Sequence, residues 1–444
     1  MQPPIGVPGA MPPRIKDAEI SRPTSTLKHI VVVIQENRTF NDLFAKFPGA
    51  DGTTRGRLKN TSGRGYTYIA LKEVNLDEHC DFGHGYQGFL KNYDEGAMDG
   101  FGLVGNKCNG NHRAAYQYVN PSQIQPYWDM AQQYVLGDHM FQTQGSGSFT
   151  AHQDLIAGAT IIDPYKTVSL VDFPTHTPWG CDAPPGSTTP KLIWTGSQIV
   201  SGQGPFPCLG YSTLRDLLDA KGVTWRYYSP PILGHQQPEG RLWNAFDAID
   251  AVRHSKEWGT NVTFSNALIF KDITKNQLPA VSWVIPDREE SDHPQSPFGD
   301  DGPSWVASIV NAIGTTAYWN NTAIVVVWDD WGGFYDQVSP PLTDHWGGLG
   351  FRVPMIVVSA YAREHHKGQP GYITHTNYEF GSILKFIEHT FDLGTLHTTD
   401  ERATGIGDCF DFTQSPRTFT KIPSSKTTEY FLHTPPSQLP VDTE

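Results

Sequence analysis

Four oxygen-bearing side chains stand where long apolar runs give way to turns. Glu36 and Asn37 follow His29-Ile30-Val31-Val32-Val33-Ile34-Gln35; Asp329 and Asp330 follow Ala323-Ile324-Val325-Val326-Val327-Trp328 and precede Trp331-Gly332-Gly333. Carboxylates and carboxamides are hard donors, the set that holds Mg, Ca or Mn, or Zn among mixed ligands. Taken singly, each residue also suits an ordinary strand-end turn. Their pairing after two similar runs is what points to a site.

Two further patterns could carry chemistry. Gly145-Ser146-Gly147-Ser148-Phe149-Thr150 precedes a helical stretch, Ala151–Ile156. A Gly-rich turn opening a helix aims backbone N–H groups at an anion, and a hydroxyl there is placed as a nucleophile. The same residues suit an ordinary N-cap at Ser148 or Thr150, and Thr150 stands where a Gly-x-Ser-x-Gly elbow needs its second glycine. Histidines occupy three contexts: His84 after Asp81-Phe82-Gly83, His293 in Ser291-Asp292-His293-Pro294, and His375 in Thr374-His375-Thr376. Loop histidines after strands can bind phosphate oxygens, protonate a leaving group or ligate metal.

The elements that must position these groups follow from the apolar patterning. Unbroken β-branched runs are strands buried on both faces, as in parallel sheets covered by helices. Further strands are predicted over Thr224–Tyr228, Leu278–Ile285 and Val353–Ser359. Helices are predicted over Pro126–Tyr134, Thr213–Lys221, Trp305–Ile313 and Ser382–Thr390. The alternation gives an α/β fold, three-layer α/β/α with a mainly parallel central sheet. Ligands in such sheets sit beyond the carboxyl ends of the strands, where Glu36, Asn37, Asp329 and Asp330 fall. Residues 1–26 are expected to form an arm, 27–444 one catalytic domain, 50–70 a hairpin or loop, and 172–210 an insertion or lid.

Composition narrows the function. The chain has 444 residues and a net charge of −13, with no Lys/Arg run, which argues against a nucleic-acid partner. An acidic surface would also resist non-specific binding to anionic headgroups. No apolar stretch approaches a membrane span. The five cysteines form no C-x-x-C pair; Cys80/Cys108 and Cys181/Cys208 could be disulfides of an exported protein, leaving Cys409 unpaired, or all five could be thiols.

Several segments together resemble a known family. They are Ile34-Gln35-Glu36-Asn37-Arg38-Thr39-Phe40, Gly96-Ala97-Met98-Asp99-Gly100-Phe101, Gly147-Ser148-Phe149 through Gly158, Ser291-Asp292-His293-Pro294, Trp328 through Asp336, Gly350-Phe351-Arg352-Val353-Pro354, and Tyr378 through Ile383. In this order they are similar to the bacterial acid phosphatase and phospholipase C phosphoesterases, within the alkaline-phosphatase-like superfamily. The resemblance implies metal ligation by Glu36, Asn37, Asp329 and Asp330, with Asn37 also touching the phosphoryl group. It implies Ser148 as nucleophile, and His84 and His293 on phosphate oxygens or the leaving group, with His375 a further substrate-binding match. The chain departs from the family at Gly147, where a proline is usual, and at Thr150-Ala151-His152-Gln153. Ser146 and Thr150 therefore stay open as rivals to Ser148.

The expected activity is metal-dependent phosphoester hydrolysis through a phosphoseryl intermediate. The chain ends soon after Phe412, which favours the compact acid-phosphatase type, a phosphomonoesterase; the alternative is a phospholipase C-type diesterase acting on phosphocholine-like headgroups. A glycosidase or a phosphate-binding protein are the remaining readings. The expected partners are a divalent cation and a small phosphoester or phospholipid-headgroup substrate, with no stable membrane insertion and an exported location.

Overall fold

The computed structural model describes residues 26–438 apart from 61, 63–64, 78–80, 106–107, 109, 232–242, 295–298, 347, 367 and 369–370. Residues 1–25 of the expected N-terminal arm, and Cys80, half of one expected disulfide, lie outside the described residues.

A nine-stranded sheet organises the chain. Its order is Val262–Thr263, Trp225–Tyr228, Val281–Val284, His29–Gln35, Thr322–Trp328, Arg352–Ser359, Val135–Phe141 and Tyr372–Thr374, with Tyr378–Glu379 also paired to Val135–Phe141. The pairings on either side of His29–Gln35 are parallel, Val31 facing Ser282 on one side and Ile324 on the other. Arg352–Ser359 runs against both its neighbours. The sheet is therefore mainly parallel, with one reversed strand inside it. Pro354 sits in that strand where the register shifts between Val353 and Met355, as expected of a residue that cannot donate to the ladder.

Burial explains the strand sequences. Ile30 to Ile34 and Ala323 to Trp328 are all fully buried, so both sheet faces are covered and no polar alternation is needed. Two sets of helices provide the cover. Asp301–Gly314 contacts Gln125–Gln133, Leu268–Thr274 and Thr428–His433, while Ser148–Ala157 contacts Phe380–Phe391 and Leu214–Lys221. Their ends follow local rules: Thr213 and Asp216 form a capping box, and Gly222 closes that helix in the left-handed region.

Two smaller structures complete the architecture. An antiparallel hairpin, Arg55–Lys59 with Tyr66–Ala70, lies over a second apolar cluster containing Ile69, Phe82, Phe89, Trp331, Phe334 and Tyr335. Between residues 168 and 203 a three-stranded sheet forms from Val168–Leu170, Pro190–Trp194 and Ile199–Gln203. Cys181 and Cys208 are joined by a disulfide beside it, and Cys409 is a buried free thiol.

Candidate active site

Three adjacent parallel strands end at one edge of the sheet: Val281–Val284, His29–Gln35 and Thr322–Trp328. Their exits carry His293, Glu36 with Asn37, and Asp329 with Asp330. Antiparallel steps on both sides of Arg352–Ser359 restore the same direction to Val135–Phe141, so the loop leading to Ser148 leaves at that edge too. Four separate segments therefore meet at the edge where sheets of this kind bind ligands.

The two acidic turns interlock. Asn37 adopts a left-handed conformation at φ 59°, and its backbone N–H donates to Asp329 Oδ1 at 2.9 Å. Gly332, also left-handed, is needed because a Cβ there would lie 2.3 Å from the Asn37 carbonyl oxygen. The Gly332 N–H donates to Asp330 Oδ1 at 2.7 Å.

Two constellations result. In the first, His152 Nε2 is 2.9 Å from Glu36 Oε1 and 3.8 Å from Asp329 Oδ2. All three side chains are buried, and their ligand atoms lie within 4.8 Å of one another. Burial pushes the His152 imidazole down to about 4, against the opposing influence of Asp329, so it is neutral at pH 7 and able to coordinate. Asp329 Oδ2 accepts no hydrogen bond among the described residues. Two buried carboxylates beside a neutral imidazole leave negative charge that a divalent cation would offset, and the donor set fits one.

In the second, Ser148 Oγ donates to Asp330 Oδ2 at 3.0 Å. His84 Nδ1 lies 2.6 Å from the Phe82 carbonyl and must donate to it, which makes Nε2 the acceptor for Asn37 Nδ2 at 2.7 Å in the neutral ring. His84 Nε2 is also 3.8 Å from Asp330 Oδ2. The His293 ring lies 6.4 Å from that of His84 and 5.8 Å from Trp243, centre to centre, with its Nδ1 on the Pro294 carbonyl.

Ser148 is the first residue of its helix, and Gly147 is the N-cap. The rival hydroxyls face elsewhere: Thr150 Oγ1 donates to Ser146 Oγ at 2.6 Å, and Ser146 Oγ accepts from the Asp172 N–H at 2.7 Å. Asp292 anchors the His293 loop. Its carboxylate accepts from Tyr127 and Trp328, both at 2.9 Å, and its carbonyl accepts from Arg38 Nε at 2.7 Å. Burial pushes its carboxyl up to about 6, with Arg38 opposing.

His375 stands apart from these groups. Its imidazole is exposed and meets Asp138 Oδ2 at 2.8 Å. It follows Tyr372–Thr374, three strands from Thr322–Trp328, a span of roughly 14 Å. None of its contacts among the described residues is with the acidic cluster. Conversely, His152 is a member that strand-end reasoning passes over. The available signal was its spacing: residues i and i+4 of a helix share a face, and Ser148 and His152 are such a pair.

Residues 27–394 match the model of the phosphoesterase family. The chain belongs to the phosphoesterase family. It is 24% identical to phospholipase C B of Mycobacterium tuberculosis over 88% of this chain and 78% of that protein. It is 25% identical to a non-hemolytic phospholipase C of Burkholderia pseudomallei over 93% of this chain and 64% of that protein. Among solved structures, a protein of the alkaline phosphatase superfamily from Vibrio parahaemolyticus is similar with a TM-score of 0.36 at 9% identity, covering 83% of this chain and 67% of that one. This phosphoesterase is a hydrolase acting on phosphate ester bonds.

Proposed function

We propose that this phosphoesterase works through a Ser148 nucleophile beside a divalent cation, and that its substrates are phosphodiesters of the phospholipid-headgroup class. The observation that carries the reading is the Ser148 Oγ–Asp330 Oδ2 contact of 3.0 Å next to the Glu36–His152–Asp329 group. The diester preference is supported by relatives named phospholipase C.

Glu36, His152 and Asp329 would hold the cation, which supplies polarisation of a phosphoryl oxygen and offsets charge in the transition state. An imidazole among the ligands favours Zn over Ca or Mg. The remaining work falls to the chain. Asn37 holds a phosphoryl oxygen through the second N–H of its carboxamide, His84 joins it once its Nε2 carries a proton, and the N–H groups opening the Ser148 helix face the same charge. Ser148 Oγ forms a bond to phosphorus as the bond to the leaving oxygen breaks. The serine proton passes to Asp330, and His293 supplies a proton to the leaving oxygen. Water then attacks phosphorus, giving a proton to His293, as the Oγ–phosphorus bond breaks and Ser148 recovers its proton from Asp330.

Two wider expectations join this reading. The Cys181–Cys208 disulfide supports an exported protein. Paired hydrogen bonds between Asn311 and Ile422, at 2.9 and 2.8 Å, support treating 27–444 as one catalytic unit. Among the described residues no helix is long and apolar enough to cross a membrane.

The test is turnover of p-nitrophenyl phosphorylcholine and p-nitrophenyl phosphate side by side, with and without chelator. Chelator-sensitive preference for the choline diester is the expected outcome. Preference for the monoester would replace the diester reading with an acid-phosphatase one, and full activity after chelation would remove the cation.

A further inference from the structure

An acidic protein of net charge −13 carries one face of the opposite character. In the Arg55–Lys59/Tyr66–Ala70 hairpin, side chains alternate between faces. Gly56 and Ile69 are buried toward the cluster shared with Phe82, Trp331 and Tyr335. The other face presents Arg55, Arg57, Lys59, Tyr66 and Tyr68. Tyr66 and Tyr68 are 42% and 58% exposed and meet edge to face, centres 5.2 Å apart. The Arg57 guanidinium lies over the Tyr66 ring and that of Arg55 over Tyr68, both at 5.6 Å. Lys59 is paired with Asp94, but among the described residues neither Arg55 nor Arg57 is in an ion pair. Both arginines line a cleft of about 370 Å³ with Thr53, Tyr68, Tyr335 and Gln337.

We propose that this face docks on an anionic phospholipid bilayer, with one headgroup phosphate seated between Arg55 and Arg57. Charge complementarity selects the occupant. Two unpaired guanidiniums interleaved with half-exposed tyrosines match the headgroup layer, where phosphates meet cations and amphipathic rings rest at the water boundary. Screening over roughly 8 Å limits the field to near neighbours; Asp94, Glu95 and Asp99 act on Lys59, and Asp99 also on Arg57, so the positive field is strongest at Arg55. The Asp51 carboxylate meets His139 and Arg352, and it also accepts from Gln337 Nε2 at 3.4 Å, so its charge is taken up within the protein. A protein partner would call for an apolar centre, and the one aliphatic side chain that alternation places on this face of the hairpin is the small Ala70. On the buried side of the hairpin, Ile69 belongs to the same apolar cluster as Phe82 and Trp331, the chain neighbours of His84 and Asp330. Docking through the hairpin is independent of which ester is cleaved.

The experiment is co-sedimentation of the full chain with vesicles of phosphatidylcholine alone and of equal parts phosphatidylcholine and phosphatidylserine. Binding is expected only to the mixed vesicles, weakening as salt rises. The double variant Arg55→Gln/Arg57→Gln should bind at least about tenfold less, since each cation near such a surface contributes severalfold. Tyr68→Ser should lower binding as well. Turnover of a soluble p-nitrophenyl ester should be unchanged in each variant, which shows that the site is intact. Equal binding by wild type and double variant, no binding to mixed vesicles, or release by millimolar inorganic phosphate at constant ionic strength would each overturn the proposal, the last assigning the cleft to a soluble anion.

Discussion

Ser148 and His152 stand one helical turn apart and reach different members of a single acidic pair. Ser148 Oγ donates to Asp330 Oδ2 at 3.0 Å, and His152 Nε2 lies 3.8 Å from Asp329 Oδ2. One buried helix thus presents the proposed nucleophile and a proposed cation ligand in fixed relation. Rotating or shifting it would disturb both together, so the two functions must be separated by substitution.

Ser148→Ala should reduce turnover by at least about a thousandfold while leaving bound cation unchanged, since nucleophile loss removes a whole reaction step and no ligand. Stopped-flow turnover with elemental analysis of the same sample checks this. Retained activity would hand the role to Ser146 or Thr150.

His152→Ala should do the reverse at the level of binding. The cation affinity should fall at least about 100-fold, with Ser148 still in place. Competition with a chromogenic chelator measures it. Activity should return in part when Zn or Mn is added in excess, a recovery that Ser148→Ala cannot show.

The Glu290 carboxyl makes folding stability depend on pH. Burial, with the charge of Asp287 adding to it, pushes Glu290 up to about 8. The unfolded group titrates near 4.3, so between the two values the folded chain holds a proton that the unfolded chain has lost. That contribution is complete below the unfolded value and disappears as pH rises through about 8. Glu290→Gln should therefore flatten the fall in melting temperature between about pH 5 and about pH 8. A melting series on both proteins decides the matter, and parallel curves would sink the assignment.

Arg352 and Asp336 are both fully buried and joined twice, Nε to Oδ1 at 2.9 Å and Nη2 to Oδ2 at 3.1 Å. Arg352→Met should cost about 3–5 kcal/mol in urea unfolding by stranding the Asp336 charge. The double variant Arg352→Met/Asp336→Leu should recover much of that loss. No recovery would mean that the arginine acts mainly through its bonds to the Asp51 and Asp138 carbonyls.

The strand-end acids were legible because a simple rule governs them: unbroken apolar runs are central strands, and a turn leaving the carboxyl end of a central strand faces the ligand edge. That rule placed Glu36, Asn37, Asp329 and Asp330 together across nearly three hundred residues. It says less about His375, which meets Asp138 at the far side of the sheet, because a loop after a strand joins the acidic cluster only when the strand is central, and strand order is not written in local pattern. His152 was obscured for another reason. Its helix is buried on every side, so polar and apolar positions carry no periodic contrast, although the four-residue step from Ser148 was in plain view. The reversed strand Arg352–Ser359 was equally hidden, since burial on both faces looks the same in either direction. The charged hairpin face disappears in a composition average, because two arginines barely change a total of −13.

The 2.3 Å approach that any Cβ at Gly332 would make to the Asn37 carbonyl has a practical corollary for re-engineering this enzyme. The two turns behave as one mechanical part made from distant stretches of chain. A library that randomises residues 36–38 while holding 329–333 fixed explores only backbones that already clear Gly332, and the converse library meets the same wall. Shifts in substrate preference that require a re-aimed Asn37 will be found only where both turns are varied in the same molecule.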